Sequence, residues 1–69
     1  MPGILTKREK EIFELLINHY TTRDIAKKLG ISEKTVRNHI SNVIQKLGVT
    51  SRIQAVLELI KLNELKIQQ

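Results

Sequence analysis

A chain of 69 residues has room for one domain with one small core, and chains this short bury only about 60% of their unfolded surface. There is no cysteine, which excludes disulfides and thiolate metal sites, so a second subunit becomes a natural source of extra burial. Hydrophobic residues make up 41% and charged residues 28%, as in a folded chain rather than a disordered tail. No apolar run approaches the roughly 18 residues of a membrane span, and the start carries no signal-peptide pattern.

Capping signals and apolar spacing predict four helices. Thr6 with Glu9 three residues on forms a capping box ahead of Ile12, Phe13, Leu15 and Leu16, which predicts a first helix over about Lys7 to Asn18. Thr21 and Asp24 repeat the signal and open a short second helix carrying Ile25, Ala26 and Leu29, closed by Gly30 as a residue able to take positive φ. Ser32 caps a third helix, about 33–47, whose apolar positions Val36, Ile40, Val43 and Leu47 keep the 3–4 spacing of one face until Gly48 stops it. Ser51 and Gln54 read as another capping box, for a fourth helix over about 52–63. The ends, Met1 to Gly3 and Gln68–Gln69, are expected to fray. Few segments alternate with period 2, so the fold class is all-α, one domain with its core over about 5–65.

The net charge is +5, and nearly all of the excess falls between residues 23 and 46. Six basic side chains (Arg23, Lys27, Lys28, Lys34, Arg37, Lys46) stand there against two acidic ones, Asp24 and Glu33. Such a concentration favours nucleic acid or another anionic surface over a merely solvated exterior.

The second and third helices are separated only by the tight turn around Gly30 and Ile31. Ala26 stands where the two would approach most closely, and Ile25, Leu29, Ile31 and Val36 supply an apolar seat for a third element. A short helix, a turn containing Gly and a longer helix make the helix-turn-helix pattern, although many helical corners mimic it. The helical wheel adds a second argument. With Val36 at zero and about 100° per residue, Ile40, Val43 and Leu47 fall within about 40°, while Lys34, Ser41 and Gln45 lie nearly opposite, flanked by Arg37 and Asn38. This face is donor-rich and almost free of carboxylates. A major groove admits one helix, and its base edges pair with Arg, Asn or Gln, while phosphates favour Lys, hydroxyls and helix N-termini.

The stretches "LTKREKEIFELL", "TTRDIAKKLGISEKTVRNHISNVIQKLGV" and "SRIQAVLEL" resemble the LuxR-type (GerE-type) helix-turn-helix family of transcription regulators over about residues 5–65. The resemblance implies a sequence-specific DNA-binding regulator: a four-helix domain whose third helix enters the major groove and whose fourth mediates dimerisation. It implies double-stranded DNA and a second copy of the chain as partners, RNA polymerase as a further candidate, and a bacterial cytoplasmic, nucleoid-associated location. No membrane association, cofactor or enzymatic activity is expected. Larger members carry a receiver or ligand-binding domain ahead of this unit; here only Met1-Pro2-Gly3 precede the motif, which suits either a stand-alone member or a piece of a longer regulator.

Arg37 and Asn38 lead as base readers, on both the resemblance and the wheel. Lys34, Ser41, Asn42 and Gln45 are candidates for bases or phosphates. Lys46, Arg23 and Lys28 suit the phosphate backbone, as do the hydroxyls of Thr22 and Thr35 near helix N-termini. Thr21 and Ser32 act first as caps, each worth about 1 kcal/mol. His39 lies beside the buried stripe and reads as a packing and hydrogen-bonding residue, and His19 as a cation near a helix C-terminus. Neither histidine has a second ligand at i+3 or i+4, which argues against a metal. Glu9 and Arg52 are expected either to pair across the fold or to stand as separate solvated charges.

The fourth helix has two apolar stripes: Ile53, Val56, Leu57 and Ile60 on one side, Ala55, Leu59 and Leu62 on the other. One closes the core, and the second is left for a partner; Ala55, Leu59 and Leu62 are taken as the dimer interface. Alternatively Leu65 and Ile67 of the tail cover the spare stripe. A competing reading, a helical adaptor that binds protein, predicts aromatic anchors on the outer face of the third helix; the two aromatics, Phe13 and Tyr20, lie elsewhere. RNA binding lacks base-stacking aromatics, and an enzyme lacks any nucleophile–base pair or carboxylate dyad.

Overall fold

The computed structural model describes residues 3–65. Four helices follow one another, α1 (Lys7–Ile17), α2 (Thr22–Leu29), α3 (Glu33–Leu47) and α4 (Arg52–Lys61), with no strand among the described residues. Each starts where a hydroxyl stands ready to accept an orphan backbone N–H. The Thr6–Glu9 and Thr21–Asp24 boxes both close reciprocally. At α4 Ser51 accepts from the Gln54 N–H, but the expected return bond goes elsewhere. Ser51 adopts φ −149°, and the Gln54 side-chain oxygen accepts instead from the Thr50 N–H at 2.9 Å and the Thr50 hydroxyl at 2.8 Å.

The helices stop in one manner. Gly30 and Gly48 take φ near +70° after α2 and α3, a conformation glycine enters without strain. His19 and Asn63 take the same left-handed turn after α1 and α4. The N–H of Tyr20 then reaches the Leu15 carbonyl, and that of Glu64 the Leu59 carbonyl, satisfying acceptors the helices leave open.

The apolar stripes converge on one cluster: Ile12 and Phe13 from α1, Ile25 and Ala26 from α2, Val36, Ile40 and Val43 from α3, Ala55 and Leu59 from α4, and Leu65 beyond it. Each large side chain buried there contributes on the order of 1.5–3 kcal/mol. Ala26 is buried between α2 and its neighbours, as the helix-turn-helix reading requires. Core packing therefore fixes α3 by one flank and leaves the other outward.

The burial of α4 corrects the interface expectation. Ala55 and Leu59 are fully buried in this chain's own core and cannot meet a second copy. The opposite stripe is the open one, with Ile53 72% and Leu57 57% exposed. Phase explains the swap: closest approach of α4 to the core needs a small side chain, and Ala55 supplies it. Leu62 is 44% exposed, at the end of the helix. Leu65 turns into the core rather than over the spare stripe, and Ile67 lies outside the described residues.

Candidate nucleic-acid interface

Along α3, Val36, Ile40 and Val43 are buried, while Lys34, Arg37, Asn38, Ser41, Asn42 and Gln45 are all exposed. Thr35 is half-buried, and its hydroxyl sits 2.9 Å from that of the cap Ser32. The side chains of Lys34, Asn38, Ser41, Asn42 and Gln45 make no hydrogen bond or ion pair with any described residue. Glu33 is the sole carboxylate of α3 and approaches Arg37, Nη1 to Oε1 3.7 Å, with both side chains about half exposed. A solvated pair of that length is worth well under 1 kcal/mol, so Arg37 is readily drawn to a stronger anion.

On α2, Arg23 is exposed and Thr22, the first helical residue, is half-buried. Lys27 and Lys28 are exposed in the last turn, with the Lys28 ammonium 6.0 Å from the Tyr20 ring centroid. Asp24, also exposed, is held ionised below its ordinary value by the backbone N–H and hydroxyl of Thr21. The turn at Gly30 joins α2 to α3 through the Ile31 N–H, which donates to the Ala26 carbonyl at 3.0 Å. These residues give α3 a row of unengaged donors and acceptors with cations beside it, the pattern that base edges between two phosphate rows require.

Lys46, expected at the phosphates, is engaged within the chain: its ammonium donates to Glu9 Oε1 at 2.6 Å and to the Ile4 carbonyl at 3.1 Å. Glu9 thus pairs with Lys46, not Arg52, because the last turn of α3 lies against the first turn of α1 while Arg52 borders a groove elsewhere. Glu9 is 4% exposed. Burial opposes its charge, yet Lys46 and the Thr6 N–H outweigh that and hold its carboxyl below the ordinary 4.5. His39 is half-buried on the flank of α3, as its wheel position implies.

The face missed in the sequence is the apolar groove, of about 600 Å³, between the end of α1 and α4, lined by Leu16, Ile17, Tyr20, Ile53, Val56 and Leu57 among others. The small residue Ala55 was the available signal that the opposite side of α4 packs inward.

No described helix is long and apolar enough to cross a membrane, and no cluster of described His, Asp or Glu residues could hold a metal.

Comparison with known proteins agrees with this geometry. The family described as "Bacterial regulatory proteins, luxR family" matches residues 3–59. Spore germination protein GerE of Bacillus subtilis (strain 168) is 62% identical over 64 residues, spanning 93% of this chain and 86% of that protein. Transcriptional regulatory protein DegU of Brevibacillus brevis is 49% identical over 65 residues, 94% of this chain but only 28% of the larger protein. A solved structure of the transcription factor GerE superposes with a TM-score of 0.95 at 61% identity, covering 97% of this chain and 100% of that one. The chain therefore belongs to the luxR family of bacterial regulatory proteins and is a DNA-binding helix-turn-helix transcription regulator.

Proposed function

We propose that α3 lies in the major groove, with Arg37 and Asn38 reading bases and Lys34, Ser41, Asn42 and Gln45 dividing the remaining base and phosphate contacts. Arg23, Thr22 and Thr35 approach the phosphates on either side. The observation that carries this reading is the outer face of α3, six exposed polar side chains over a buried aliphatic flank, opposed by one weakly engaged carboxylate. Residues 5–65 act as one unit in this role.

The active species is a homodimer on inverted half-sites. Its interface is the exposed α4 stripe of Ile53 and Leu57, because water-facing apolar side chains on adjacent turns are otherwise costly. A unit 28 Å across in its longer dimensions suits half-sites spaced about one DNA turn, roughly 34 Å. The dimer acts in the cytoplasm, on the nucleoid, with RNA polymerase as a partner when bound beside a promoter. Its relation to a spore germination protein supports targets within the sporulation programme.

Selection of duplexes from a random pool tests the reading. A paired, inverted consensus is expected, and Arg37→Ala with Asn38→Ala should erase it while leaving weak salt-sensitive binding. Recovery of the same consensus by the double variant would refute base reading by this helix.

A further inference from the structure

The Glu9–Lys46 pair ties the first turn of α1 to the last turn of α3. Glu9 Oε1 accepts two donors, the Thr6 N–H at 2.9 Å and the Lys46 ammonium at 2.6 Å. The first of these closes the capping box of α1; the second reaches the last turn of α3. Lys46 also donates to the Ile4 carbonyl at 3.1 Å, so the segment entering α1 takes part.

The position of this contact matters because of the shape of α3. Fifteen residues make a rod about 22 Å long. Its N-terminal end is set by the Gly30 turn and the Ser32 cap. Its other end rests on Val43 and Leu47, and apolar contact carries no direction of its own. A tilt of about 5° about the N-terminal end would carry the last turn through about 2 Å and Gln45 nearly as far, and would shift Arg37 and Asn38 by about 0.6 Å, enough to stretch or bend base hydrogen bonds along the whole face. A short charge-assisted bond is directional, and this one stands at the end of the rod where tilt is largest.

We propose that Glu9 and Lys46 are positioning residues for DNA reading: their ion pair sets the tilt of α3 on α1, and Lys46 serves this purpose instead of binding phosphate. The inference rests on the reading of α3 as the DNA-reading element. Glu9 is nearly sealed from solvent, so its effect on DNA is exerted through Lys46.

The test uses the intact chain and two duplexes, one recovered from the random pool and one of scrambled sequence, at a temperature where circular dichroism finds each variant folded. Lys46→Met and Glu9→Gln should each weaken the selected duplex about tenfold, the equivalent of one good base contact. Binding to the scrambled duplex should stay within about twofold, and the salt slope should be unchanged, since no phosphate contact is lost. The double variant should be no worse than the poorer single one, and Lys46→Arg should restore most of the loss. A merely structural pair would leave the ratio between the two duplexes unmoved once folding is controlled, and that result overturns the proposal. So does a fall in salt slope of about 0.9 in Lys46→Met, or tighter DNA binding by Glu9→Gln, since either makes Lys46 a phosphate ligand. If Glu9→Gln does not fold, Lys46→Met and Lys46→Arg decide alone. Failure of the unmodified chain to select any duplex would instead sink the reading of α3, and this inference with it.

Discussion

Leu57 and Leu59 stand two residues apart on α4, one 57% exposed and the other fully buried, so substitutions there should separate folding from assembly. Leu59→Ala removes three carbons from the contact of α4 with Phe13, Val36 and the rest of the core; comparable deletions cost about 2–5 kcal/mol. A chain of 69 residues has a total stability of only about 3–10 kcal/mol, so this variant should be largely unfolded or barely folded at 37 °C. Leu57→Glu exchanges one good helix former for another at a solvated position, and in dilute, monomeric protein should change stability by no more than about 0.5 kcal/mol. At higher concentration it should do what Leu59→Ala does not: place a carboxylate in the proposed α4 seam and abolish dimers. Urea titration at low protein concentration measures the first effect, through a shifted midpoint at constant slope. Sedimentation across a concentration series measures the second. Equal losses of monomer stability in the two variants would refute the assignment of the buried and open sides of α4, and a Leu57→Glu dimer as tight as the unmodified one would refute the seam.

Glu9 should give the chain an acid limb of stability. Its folded carboxyl titrates below the ordinary 4.5, so its contribution is fully present above that value and disappears as pH falls through the lower, folded one. Melting curves between pH 3 and 6 should show the gap between unmodified protein and Glu9→Gln closing with acidification; a constant gap would contradict it. Gly30→Ala should cost about 1 kcal/mol by backbone strain alone, because a Cβ there meets nothing within 4 Å. His19→Gly, at φ +71°, should be neutral to stabilising by up to about 1 kcal/mol; calorimetry that finds both changes of one sign would refute the left-handed turn as their common cause. Arg23→Ala should lower the salt slope of DNA binding by about 0.9, and an unchanged slope would remove Arg23 from the phosphate set.

Much of this fold is legible because its helix boundaries are chemical. Hydroxyl caps at Thr6, Thr21, Ser32 and Ser51, with glycines at 30 and 48, mark starts and stops locally, and the observed limits follow them closely. The outer face of α3 is legible for a related reason, since 3.6-residue periodicity converts order along the chain into side of the rod. What escaped the sequence depends on pairs of helices. The two stripes of α4 are equally apolar, and only the depth at which Ala55 packs decides between them. Lys46 resembles the other cations of the basic third in every local respect; its partner lies 37 residues away, at a contact that exists only once α1 and α3 are packed. Complementary charge makes Arg52 one candidate partner for Glu9, and charge alone carries no distance.

The shared oxygen of Glu9 has a consequence for how the molecule breathes. Fraying is normally private to a helix end, each terminus opening on its own clock. Here one atom joins the opening turn of α1 to the closing turn of α3, so an unwinding of α1 that carried Glu9 away would release Lys46 as well. Everything between, including the whole of α2, is bracketed by that latch, and melting of the first turn as far as Glu9 would be felt at the far end of α3.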